Sequence, residues 1–164
     1  MKNSLILATL LLAAPAAFAQ SPTATAQASV ILYKAITLSK TTDMNFGVVA
    51  AGTTSGTVTL SAAGARTNAG GATPLSGGTV AAAAFAADGQ ANQTYAITLP
   101  ASSVTLTSGS DTMTLTGFTS SIGATGTLSS GGTQSFSVGS TLNVGANQAA
   151  GTYTGNFSVM VAYN

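Results

Sequence analysis

The stretch GTYTGNFSVMVAYN, residues 151–164, carries the strictest pattern in the chain. Tyr153, Gly155, Phe157, Val159, Val161 and Tyr163 fall on one side of an extended backbone. Thr154, Asn156, Ser158, Met160, Ala162 and Asn164 fall on the other. A period of two is that of a strand with one buried face, whereas a helix gathers residues three and four apart. A strand this apolar is costly to leave with a bare edge, because unpaired N–H and C=O groups recruit other chains. Which segment pairs with it is therefore the question the sequence poses.

The other segments read as short strands too. Residues 44–52 form a strand closed by Gly52, and 56–64 alternate through Val58 and Leu60. Residues 66–78, rich in Gly, Asn, Ala and Pro, read as a long loop. Residues 79–89 form a small-residue strand ending in a turn at Asp88-Gly89. The run of alanines within it favours helix by propensity, but its Gly flanks and strand-rich surroundings predict a strand. Residues 94–100 form a strand stopped by Pro100, and 103–118 two strands joined by a turn near 108–111. Ile122 and Leu128 lie in Gly-rich chain, and residues 133–145 form a strand with a bulge or bend at Gly139. Many short strands separated by turn signals predict an all-β fold: an Ig-like β-sandwich of about seven to nine short antiparallel strands, complete or lacking a strand.

The first residues are of another kind. Lys2, the apolar run 5–13 and Ala17-Phe18-Ala19 form a secretory signal peptide over residues 1–19, whose core is too short to span a bilayer. The chain is thus expected to be exported, to pass through the periplasm and to end outside the cell or on its surface. An N-terminal extension, residues 20–33, precedes a β-sandwich domain at 34–164. No later apolar run is long enough for a membrane-spanning helix. An exported chain with no Cys relies on packing and strand pairing rather than disulfides.

Charge excludes several functions. Past the signal, Lys34, Lys40 and Arg66 balance Asp43, Asp88 and Asp111, and there is no Glu or His. Nucleic-acid binding needs a basic footprint, which is missing. Acid–base catalysis draws on His or paired carboxylates, and a Ser nucleophile needs a base. Ser39 and Lys40 are adjacent and so point to opposite faces of a strand. Zinc needs Cys or His. Residues 43–45 and 88–90 offer Ca²⁺ too few carboxylates and read as turns or strand ends. Asn92-Gln93-Thr94 matches a glycosylation sequon and reads as chance. No enzyme, metal or cofactor is expected.

Two answers remain for the last strand. Either a strand of the same domain covers it, or another molecule supplies the missing one. Ala24, Ala26, Ala28, Val30 and Leu32 alternate along the extension, with Thr25, Gln27, Ser29 and Ile31 between. Such a segment suits donation into an incomplete sheet, the pairing known as donor-strand complementation. The acceptor groove would then lie along Tyr153, Phe157, Val159, Val161 and Tyr163. Two other functions stay open: a secreted module binding glycan or protein through the loop at 66–78, and a small outer-membrane barrel, which would need aromatic girdles.

MNFG, SAAGARTNAGG, AAFAADGQANQTYAITLP, MTLTGF and SFSVGSTLNVGANQAAGTYTGNFSVMVAYN, in this order, resemble the secreted bacterial family of unknown function catalogued as 4402. The GxYxGxFxVxVxY ending at Gly151 to Tyr163 is also similar to spore-coat-U-like pilins of archaic chaperone–usher pili. That resemblance implies an incomplete Ig-like subunit joined to its neighbours by N-terminal donor strands, with self-association into filaments and a periplasmic chaperone and usher as partners. Many such pilins carry a disulfide; this chain, without Cys, departs from them.

Overall fold

The computed structural model describes residues 21–164; the expected signal peptide and Gln20 lie outside the described residues. Among these, the chain forms twelve strands and no helix: β1 (Thr37–Thr42), β2 (Asn45–Phe46), β3 (Val49–Leu60), β4 (Arg66–Pro74), β5 (Val80–Ala81), β6 (Ala83–Asp88), β7 (Thr94–Thr98), β8 (Val104–Ser108), β9 (Asp111–Ser120), β10 (Thr125–Thr127), β11 (Thr133–Val144) and β12 (Met160–Tyr163). Nine of them have four residues or more. Every ladder is antiparallel, and the sheets curl into an open half-barrel, an incomplete β-sandwich. Residues 21–31 form no strand and are exposed throughout.

β11 is the hub. Its first half, Thr133 to Val138, pairs with β6, and its second half, Ser140 to Val144, pairs with β3. Its other edge pairs with β9, with a register shift between Gly139 and Thr141. The expected irregularity at Gly139 is thus the point where one strand changes partners. A side chain there would overlap the Leu60 carbonyl, so only glycine lets β11 turn this corner. The large sheet runs β1-β6-β11-β3-β4, with β9 and β8 attached to β11's second edge; a smaller sheet runs β10-β7-β12.

Alternation places the core. β6 buries Ala83, Phe85 and Ala87 and turns Ala84, Ala86 and Asp88 outward. These meet Tyr95 and Ile97 of β7, Leu128, and Phe136 and Val138 of β11. A second cluster joins Val58, Ala72, Leu115, Leu142 and Val144. The alanine run is a strand because alternate alanines lie against this core, and packing overrides helix propensity.

Three expectations are corrected. Residues 66–78 are not a long loop, because β4 occupies Arg66 to Pro74 as the partner of β3. Gly70 and Gly71 serve close approach there: a Cβ on Gly71 would overlap the Thr54 carbonyl. The strand expected at 44–52 breaks at Gly47, whose φ is +68°, and β3 then runs through Gly52 to Leu60. The last segment is not one continuous strand. Only Met160 to Tyr163 joins a ladder, on β7, while Thr154 meets Thr107 in an isolated bridge.

Candidate functional site

Among the described residues, β1 pairs with β6 along one edge only, and β12 pairs with β7 along one edge only. Between β1 and residues 151–159 lies an open cavity of about 860 Å³. Leu38 and Lys40 of β1 form one wall, and Tyr153, Phe157 and Val159 the other. Ala83, Phe85, Leu115 and Leu142 line the cavity between them, with Met44 and Phe46 also contributing. A second cavity of about 270 Å³ lies among Thr98, Pro100, Val104 and Phe157, so the span between Thr154 and Met160 has open space on both sides.

The burial of the last segment follows its sequence pattern except at Gly155, which is exposed. Tyr153, Phe157, Val159, Val161 and Tyr163 are half-buried, and the residues between them are exposed. None is fully buried. Phe157 packs against Phe118 at 5.0 Å between ring centroids and against Phe85 at 6.4 Å, and its remaining surface faces the cavity. Folded cores leave few voids larger than a water molecule. An opening of this size, lined by apolar side chains and polar groups together, beside the outer edge of β1 has room for one more strand.

The slot is nearly uncharged. Lys40 and Asp43 pair with each other beside it, both side chains largely exposed. The walls therefore offer apolar surface and backbone N–H and C=O groups, suited to an extended neutral segment rather than an ionic ligand. Tyr153 is fixed by its own loop: its Oη accepts from Gln148 Nε2 and donates to the Ala149 carbonyl, each at 2.8 Å.

The structure brings Tyr153, Phe157 and Val159 together on the cavity. Val161 and Tyr163 lie beyond it, packed on the core. Ala24, Ala26, Ala28, Val30 and Leu32 are exposed, Val30 at 86% and Leu32 at 90%. The remaining wall and floor residues, Leu38, Met44, Phe46, Phe85 and Leu115, escaped sequence reasoning. Residues 79–89 read as a small-residue strand, but that its Ala83 and Phe85 line a cavity was not legible in the sequence.

Other candidates have ordinary structural partners. The Asp43 carboxylate faces Lys40 and that of Asp88 faces Lys34. Ser39 Oγ donates to the Ala86 carbonyl at 3.3 Å. Asn92 sits exposed in a turn at φ +60°. Arg66 donates to the carbonyls of Phe46 (2.6 Å), Val48 (3.2 Å) and Leu75 (2.9 Å), so it holds backbone rather than presenting a charge. Among the described residues no group of three His, Cys, Asp or Glu side chains is placed to hold a metal ion, and no helix is long and apolar enough to cross a membrane.

Among known proteins, no curated protein and no solved structure matches the chain. A family model described as "Domain of unknown function (DUF4402)" matches residues 36–163, which run from just before β1 to the end of β12. On that match, covering both walls of the slot, the chain belongs to the DUF4402 family.

Proposed function

We propose that this protein is a structural subunit of an extracellular filament or pilus whose subunits join by donor-strand complementation. The observation that carries the reading is the open slot between β1 and residues 151–159, where, among the described residues, β1 keeps one edge unpaired and residues 155–159 join no ladder. The donor is the alternating segment holding Ala24, Ala26, Ala28, Val30 and Leu32. Residues 24–32 number nine, about 30 Å of extended chain. The opposite wall, residues 151–159, has the same length. Burying Val30 and Leu32 is worth about 1.5–3 kcal/mol each, and each ladder bond about 1 kcal/mol. The alanines fit a slot already lined by large side chains such as Phe85 and Phe157. A periplasmic chaperone would cover the slot before assembly and an usher would direct the exchange. The resemblance of the ending to spore-coat-U-like pilins supports the same reading.

The test is thermal unfolding of a variant beginning at Lys34, with and without a peptide of residues 20–33. The expected result is a low melting point that rises with peptide dose. A variant that melts like the longer chain and ignores the peptide would show that the last strand has all the partners it needs.

A further inference from the structure

The wall strands meet beyond the slot in a knot of contacts at the root of the extension. Tyr163 Oη donates to the Lys34 carbonyl at 2.8 Å and accepts from the Gln90 N–H at 2.5 Å. The Tyr33 ring stands edge-on to Tyr163, centroids 6.1 Å apart. Lys34 forms an ion pair with Asp88, and its N–H donates to Gln90 Oε1 at 3.4 Å. Two residues on, Ile36 packs against the core, and Thr37 is already in register with Asp88. Leu32 thus adjoins a stretch of chain held almost residue by residue.

Resting on the reading above, we infer that this knot is a clamp that commits the extension to a second copy of the chain. A segment tethered beside its own groove meets it at an effective concentration in the millimolar range. With a free root, self-insertion would therefore win over joining at ordinary protein concentrations. For residues 24–32 to lie along their own β1, the chain would have to reverse within residues 33–36. Even the tightest hairpin needs two residues free to adopt turn dihedrals. Tyr33, Lys34 and Ile36 are held, so self-insertion must break the knot. Insertion into a second copy leaves every one of these contacts intact. The clamp therefore weighs on self-insertion alone, and Tyr163, outside the slot, acts as a positioning residue for the joint.

The test uses the full chain, whose lack of cysteine makes an introduced pair unambiguous. Ser29→Cys or Gln27→Cys, on the outward face of the donor, is combined with Ser158→Cys or Asn156→Cys, on the outward face of the last segment. A disulfide forms only where Cα atoms come within about 4.4–6.8 Å, and the four combinations sample different registers. After oxidation, the expected product on a non-reducing gel is a ladder of linked chains. Adding Tyr163→Phe and Lys34→Ala is expected to raise the share of internally linked monomer at least about tenfold, because it removes both hydrogen bonds of Tyr163 Oη and the Lys34–Asp88 ion pair. If that double variant no longer melts cooperatively, Tyr163→Phe alone, which keeps the ring, replaces it. A ladder unchanged by loss of the clamp, or an internal link already dominant with the clamp intact, overturns the inference and leaves the donor-strand reading standing. No link in any combination, with no self-association, overturns that reading and the inference with it.

Discussion

Arg66 and Tyr95 each tie together parts of the half-barrel that are distant in sequence. Arg66 reaches three carbonyls on the β2–β3 connection and just past β4. A lysine offers one ammonium on a flexible stem and cannot span them. Arg66→Lys is therefore expected to cost about 1–3 kcal/mol, read as a lower urea midpoint with an unchanged slope. Tyr95 is fully buried and donates to Gln134 Oε1 at 2.8 Å. Burial raises its pKa above the ordinary value of 10.0, because the phenolate is the form that loses hydration. The folded state therefore holds this proton more tightly than the unfolded state. The stabilisation is complete below the unfolded pKa and is lost as pH rises through the folded one. Stability is expected to fall above about pH 10, with Tyr95→Phe flattening that limb of the curve; a pH series of urea melts reads both.

At the scale of elements, the two wall strands differ in what holds them. β1 has a full partner in β6, whereas residues 155–159 hang between the Thr154 bridge and the β12 ladder. Within the last segment, hydrogen exchange is expected to be fastest at the amides of 155–159 and to slow when the residue 20–33 peptide is added, since local opening follows unsatisfied backbone. The extension answers a different test. Val30 is 86% exposed, so Val30→Asp should move the melting temperature of an isolated subunit little, within about 0.5 kcal/mol. Self-association should fall sharply, because the aspartate would enter a nearly uncharged slot without a partner. Sedimentation of the variant beside the parent chain checks both halves of this expectation.

For the whole molecule, the balance of three basic and three acidic residues from residue 20 onward sets the character expected of the proposed association. A joint made of apolar side chains and backbone ladder bonds has little charge to screen. Its strength is expected to change little between about 0.05 and 0.5 M salt, over which the Debye length shrinks severalfold. The joint should also show a negative heat-capacity change, the mark of buried apolar surface. Titration calorimetry of the residue 20–33 peptide at several temperatures and salt concentrations measures both; a steep salt dependence would point to a charged site instead.

The strands of this protein were legible in its sequence wherever one face is buried, because burial imposes a period of two. Residues 153–163 announce their faces in this way, and their burial follows the pattern except at Gly155, which is exposed. The hairpin of β3 and β4 was not legible: Gly70 and Gly71 look like loop residues until β3 lies against them, and only that close approach explains why glycine is required. The same limit applies to the slot. Alternation at 151–163 says that a face is apolar, but whether it is covered depends on what the rest of the chain brings over it, a matter of contacts distant in sequence. Fold class and strand faces follow from the residues alone, since they rest on local periodicity and composition. That, among the described residues, β1 forms no ladder with residues 151–159 was decided only in the tertiary structure, because strand pairing is set by which long-range ladders close around the bend at Gly139.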